Sequence, residues 1–286
     1  MLTHDIETEV GRDLSLELSD IDSSFGMKSS FHVVPEKRYE VTPSFLDSLR
    51  ARGHELNIHG LNHDGRLFRD RQTFLQQVQR INQYARKFGA RGFRSPVLYR
   101  NLEWYGDLDF DYDMSVPNVA HLDPQQGGCC TVMPYFIGNI LELPLTTTQD
   151  WTLFNVLGHK SIELWKEQID LILEKNGLMS FNIHPDYIVR NPYRQLYEEL
   201  LTYLIDVCSQ RNIWIALPSE VHRWWRERSN SAIVNGGNHC YVSGSANERA
   251  VVGYASIIDD DISYQLKPPN LPVFEGSDIE TPAVRS

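Results

Sequence analysis

The feature that most constrains this chain is a repeated alternation of short apolar runs with segments of helical period. Residues 2–6, 30–34, 55–59, 92–95, 113–116, 140–145, 179–184 and 213–217 read as strands. Between them, Phe74, Val78, Ile81, Ala85 and Phe88 recur at threes and fours ahead of Gly89. Ile162, Trp165, Ile169, Ile172 and Leu173 do the same ahead of Gly177. That period marks one buried helix face, and a glycine after it marks a stop. Further helices are expected at 196–208, after Pro192, and from Pro218, a residue favoured just inside a helix start. Strands separated by helices must run parallel, since each crossover returns the chain to the same end of the sheet. The fold class is therefore α/β, either a barrel or an open doubly wound sheet. No GxGxxG or Walker loop follows any strand, which weakens the nucleotide-binding version.

From about residue 229 the pattern changes. Glycine, serine and asparagine punctuate short β-like runs such as 250–258, and the last twenty or so residues are proline-rich. A catalytic-size unit at 1–228 and a β-like extension with a tail at 229–286 are expected. At 41% hydrophobic and 23% charged residues, the chain has ordinary globular composition. Its net charge of −11 speaks against nucleic acid or an anionic membrane surface as partner. No apolar run approaches the roughly 20 residues that span a bilayer. Cys129, Cys130, Cys208 and Cys240 show no CxxC spacing, so a reduced, cytoplasmic protein is expected. Only four residues precede Asp5, so a leader upstream of the given start stays open.

Four strand ends carry chemistry. In "LTHDIET", Asp5 and Glu7 project to the same side, because side chains alternate along a strand. In "HELNIHGLNHDG", His59 and His63 stand four apart, a spacing that lets two imidazoles share one cation on a helical turn. His54, ahead of that strand, reads as structural. Arg94 in "RGFRSP" can hold a carboxylate, and His184 closes the apolar run "LMSFNIHP", where a general acid could sit. Singly these signals are modest. Carboxylate, HxxxH, arginine–proline and histidine at successive strand ends are together specific.

In that order the chain resembles the polysaccharide deacetylase family, carbohydrate esterase family four. The family's T-F-D-D is met by Thr3-His4-Asp5-Ile6-Glu7. Its G-H-E-I-x-x-H run, with H-[ST]-x-x-H, is met by Gly53 to His63 with Gly60 in the Ser/Thr place. Its K-A-T-F-F-V strand is met by "MKSSFHVVP", its R-x-P by Arg94-Ser95-Pro96, and its hydrophobic-x-His by "FNIHP". The resemblance spans residues 2 to about 225 and implies a distorted (β/α)7–8 TIM-like barrel. It implies a divalent cation, foremost zinc, held by His59, His63 and a carboxylate, with Asp5 as base, Arg94 orienting it and His184 as acid. The implied oxyanion donor is a backbone N–H near Val97. Ile6 stands where the family has its second aspartate, so Glu7 is the expected substitute ligand, with the roles of Asp5 and Glu7 open to exchange. Asp150 and Asp113 compete as the aspartate behind His184.

The implied substrate is an N-acetylated sugar or polysaccharide, and surface-polysaccharide or lipopolysaccharide biosynthesis is the expected setting. Segment 101–150, longer than a βα connection needs, is expected as a lid or wall. Three rivals remain: hydrolysis of another amide or imide, an inactive glycan-binding barrel, and a non-haem iron oxygenase built on the same ligand types.

Overall fold

The computed structural model describes residues 1–118, 127–237, 240–258 and 261–267. Its first compact unit is Met1–His222. There the strands are β1 (Leu2–Ile6), β2 (Ser29–Val33), β3 (Glu55–His59), β4 (Gly92–Arg94), β5 (Tyr112–Asp113), β6 (Tyr135–Ile137), β7 (Ile140–Glu142) and β8 (Phe181–Ile183). They form one sheet in the order β6-β7-β5-β4-β3-β2-β1-β8. Every neighbouring pair is parallel except β6 with β7. The sheet curls into a half-barrel flanked by helices, the barrel that the resemblance implied and one of the two classes the alternation allowed.

The helices are α1 (Glu9–Ser24), α2 (Pro43–Ala51), α3 (Arg71–Phe88), α4 (Glu163–Glu174), α5 (Pro185–Ile188), α6 (Tyr193–Arg211) and α7 (Pro218–Ser229). Their ends follow local chemistry. The hydroxyls of Thr8 and Thr42 and the carboxylate of Asp70 accept from Gly11, Phe45 and Thr73 N–H groups, satisfying orphan donors at three N-termini. Gly89 closes α3 in the left-handed conformation. Phe74, Val78, Ile81, Ala85 and Phe88 are all buried, as their period requires.

Alternation along β1 sends His4 to one face and Asp5 to the other. On the helix side, His4 Nε2 meets Asp22 Oδ2 at 2.8 Å, and Asp22 also accepts from Ser29 Oγ and Tyr197 Oη at 2.6 Å each. His54 Nδ1 accepts from the Ser29 N–H at 3.2 Å. This buried network ties α1 and α6 to β1, β2 and the residue that leads into β3, and it gives both histidines a structural place.

The β8 edge of the sheet meets the chain that follows β7 without a ladder. Strand β8 pairs only with β1. On its other side, Thr147 donates N–H and hydroxyl to Ser180 O at 3.3 and 2.9 Å, while Thr146 Oγ1 accepts from Ser180 N and donates to Leu178 O. Gln168 of α4 clamps the next residue, giving and taking one bond each with Thr148.

One expected strand is absent and one unexpected strand is present. Residues 213–217 form no strand: Trp214 and Ile215 are about half exposed, and the segment leads into α7, whose Glu220 takes the Leu217 N–H. Segment 101–150 also contains β6, unexpected because its three residues alternate too briefly to stand out. Of that segment, 119–126 lies outside the described residues.

The second unit, Arg223–Ser286, contains two hairpins: β9 (Ser231–Asn235) with β10 (Cys240–Gly244), and β11 (Val252–Ile258) with β12 (Asp261–Lys267). The proline-rich stretch from 268 lies outside the described residues. Among those described, no helix is long and apolar enough to cross a membrane, and all four cysteines are free.

Candidate active site

The C-terminal ends of parallel strands are where barrels collect reactive side chains, because the βα loops there are free to vary. Glu7 leaves the end of β1, His59 ends β3, Arg94 ends β4 and His184 follows β8. His63 follows His59 through a bend rather than the helical turn its spacing suggested. Gly60 and His63 both adopt left-handed backbone, at φ of 62° and 52°. A Cβ on Gly60 would lie 2.3 Å from Pro96 Cγ, so the Arg-Ser-Pro turn excludes a serine or threonine there. Val97 and Leu98, just beyond that turn, are left-handed as well. Strain of this kind gathers where a site over-determines its backbone.

Three imidazole nitrogens converge on one carboxylate oxygen. His63 Nε2 lies 2.8 Å, His59 Nε2 3.3 Å and His184 Nε2 3.6 Å from Glu7 Oε1. Burial works to raise the Glu7 pKa, but His184, His59 and His63 together hold it well below the usual carboxylate range. His59 Nδ1 faces Arg94 O at 3.2 Å, so that nitrogen carries the proton and Nε2 presents a lone pair. Glu7, His59 and His63 offer one atom each within 4.8 Å of one another. One carboxylate and two imidazoles, with one ring already oriented by a carbonyl, fit a divalent cation of the zinc type. Thr8 Oγ1 donates to Asp186 Oδ2 at 2.9 Å, which fixes the β1–α1 junction, and so Glu7, beside the β8–α5 junction.

Asp5 is buried beside this cluster. Its Oδ1 accepts from Arg94 Nη1 at 3.0 Å and faces His32 Nδ1 at 2.8 Å, and its Oδ2 accepts from Asn182 Nδ2 at 2.9 Å. Asp5 Oδ2 lies 3.8 Å from His59 Nε2. Burial opposes ionisation, but Arg94, His59 and His32 keep the Asp5 pKa well below its ordinary value. The imidazole of His32, buried and next to the Arg94 cation, is pushed down to about 3 and stays neutral. Thus Glu7, not Asp5, stands with the histidine pair, while Asp5 is bound to Arg94.

The aspartate behind His184 is Asp150. Its Oδ1 is 2.6 Å from His184 Nδ1, and its Oδ2 accepts the His184 backbone N–H at 2.7 Å. Burial works against the charged ring, yet Asp150 and Glu7 raise the His184 pKa well above the usual value. The competing Asp113 points elsewhere, to Tyr105 and Ser115, and with burial it pushes the nearby Glu142 carboxyl well above its usual pKa.

His32 and Asn182 escaped the sequence reading. The available signal was a polar residue at the inward position of each buried strand flanking β1: the register pairs Asp5 with His32, and Asn182 with Thr3.

No protein-family model matches the sequence, and no curated protein does. Solved structures do. A "putative polysaccharide deacetylase from Mycobacterium smegmatis" superposes with a TM-score of 0.63 at 19% identity, over 80% of this chain and 90% of that one. An allantoinase, Puue, gives 0.57 at 16% identity, over 74% and 72%. The 4-alpha-glucanotransferase of Thermococcus litoralis gives 0.50 at 18% identity, over 77% of this chain and 39% of its own. At such identities the likeness is one of fold, and one fold hosts several reactions. The chain carries the distorted barrel of the polysaccharide deacetylases.

Proposed function

We propose that the chain is a metal-dependent hydrolase that removes an N-acetyl group from a sugar of a polysaccharide or its precursor. The observation that carries this reading is the convergence of His59, His63 and His184 on Glu7 Oε1, beside the Arg94-bound Asp5. Glu7, His59 and His63 would hold the divalent cation, zinc foremost. The chemistry it supplies when bound is polarisation of the amide carbonyl and acidification of the attacking water.

The chain's own residues do the rest. Asp5, ionised throughout the working pH range, accepts the proton released as water adds to the carbonyl carbon. His184, kept cationic by Asp150, donates its proton to the amide nitrogen as the C–N bond breaks. The products are acetate and a free amino sugar. The backbone N–H near Val97 remains the proposed oxyanion donor, and surface-polysaccharide or lipopolysaccharide assembly the proposed setting.

A second reading, hydrolysis of another amide or imide bond, is favoured by the allantoinase likeness. Metal content of wild type and His59→Ala, with acetate release from a panel of N-acetylated sugars on the same samples, separates them. Near-stoichiometric metal and acetate release, both lost in the variant, support the deacetylase. Metal without acetate, but with hydrolysis of a cyclic amide, moves the choice to the second reading. No metal in wild type after divalent ions are added removes both.

A further inference from the structure

We infer that His32 is a positioning residue, a neutral Nδ1–H donor that fixes the Asp5 carboxylate so that Oδ2 is its working oxygen. The inference rests on the hydrolase reading above, in which Asp5 is the base, and assigns a residue that reading did not use.

Register places His32 beside Asp5, and the imidazole is fully buried. Its Nδ1 lies 2.8 Å from Asp5 Oδ1 and 3.2 Å from Arg94 Nη1. An ionised carboxylate only accepts, so a bare Nδ1 would set two lone pairs against each other at 2.8 Å. The guanidinium has acceptors of its own, Asp5 Oδ1 at 3.0 Å and Asn182 Oδ1 at 2.8 Å. Nδ1 therefore carries the proton and gives it to Asp5.

The other side of the ring agrees. Gly92 N–H donates to Asn57 Oδ1 at 2.6 Å, which fixes that amide's orientation. Asn57 Nδ2 then donates to Ser30 Oγ at 2.8 Å, leaving the Ser30 hydroxyl proton to point toward His32 Nε2, 3.5 Å away. Every donor in this row, from Gly92 through Asn57, Ser30 and His32 to Asp5, points the same way. A backbone amide on β4 thus sets the sense of a relay that crosses β3 and β2 and ends on β1.

The consequence for Asp5 is asymmetry. Oδ1 is consumed by His32 and Arg94. Oδ2 has one donor, Asn182, and faces His59 Nε2 at 3.8 Å.

The test compares His32→Asn, whose amide N–H can stand in for Nδ1–H, with His32→Phe and His32→Ala, which cannot donate. Metal content and thermal midpoint are measured on each. The expected result is kcat lower by about 10²-fold in the Phe and Ala variants, as for a reacting group displaced by an ångström. KM and metal content should hold, and His32→Asn should recover most of kcat. Equal losses in all three variants, or losses that track KM or metal content, overturn it. Nitrogen-15 NMR of the histidine rings supplies a readout independent of activity: a neutral His32 protonated on Nδ1 supports the inference, and protonation on Nε2 refutes it. Wild type that releases no acetate from any N-acetylated sugar defeats the functional reading instead, and leaves the tautomer result to decide the placement of the donor.

Discussion

Asp150 grips His184 twice, through Nδ1 of the ring at 2.6 Å and through the backbone N–H at 2.7 Å. One carboxylate therefore sets both the protonation of the ring and the place of the residue that bears it. Asp150→Asn keeps the shape and removes the charge. The His184 pKa then falls, so the alkaline limb of the pH–rate profile moves to lower pH, and kcat drops by about 10²-fold or more. A variant whose alkaline limb stays where wild type has it would show that His184 is not the acid.

Gly60→Ser brings the family's residue into a place this backbone cannot accept. The left-handed φ and the 2.3 Å approach to Pro96 Cγ predict destabilisation of about 1–3 kcal/mol. Because His59 and His63 flank this position, metal affinity should weaken too. Thermal melts and a metal titration check both, and unchanged values would mean the Arg-Ser-Pro turn yields easily.

The buried Asp22 is expected to matter for folding rather than for chemistry. Burial raises its pKa, but His4, Ser29 and Tyr197 more than offset this and leave it below the usual value. A group lowered on folding adds stability that is present above its unfolded pKa, about 3.9, and is lost as pH falls through the folded value. Asp22→Asn should cost roughly 3 kcal/mol at pH 7, with the gap from wild type narrowing below about pH 4. Denaturant titrations at pH 7 and pH 3.5 measure it; a gap that ignores pH would contradict the charge argument.

Glu142 has the opposite sign. Its Oε1 accepts the Val116 N–H at 2.9 Å, and burial, with Asp113 beside it, pushes the carboxyl well above its usual pKa. The unfolded chain ionises first, so this group lowers stability as pH climbs above its unfolded pKa, about 4.3. Glu142→Gln removes that slope. Between pH 5 and pH 8 the variant should lose less stability than wild type, and parallel curves would contradict a raised Glu142 pKa.

Much of this was legible because the signals were local. A parallel sheet covered by helices follows from alternation, and His59, Arg94 and His184 stand out because each closes an apolar run. The choice between Asp150 and Asp113 was not legible, since it depends on which strand neighbours β8 across a seam with no ladder. Nor was His32, whose importance comes only from register with β1. Residues 213–217 misled because an apolar run can pack on a barrel's floor without pairing, and chain pattern does not separate the two. The bend at Gly60–His63 met the four-residue spacing by a route that helix geometry did not suggest.

The threonine seam bears on where this protein tolerates change. His184 follows strand β8, yet the far flank of that strand is held chiefly by the hydroxyls of Thr146 and Thr147, with one backbone bond from Thr147 N–H to Ser180 O, while Gln168 steadies the neighbouring Thr148. Backbone pairing survives most substitutions, because any residue but proline supplies it; a hydroxyl does not. A saturation scan should therefore find Thr146, Thr147 and Gln168 nearly as intolerant as the reacting groups, and amide exchange at Ser180 should quicken in step with each loss.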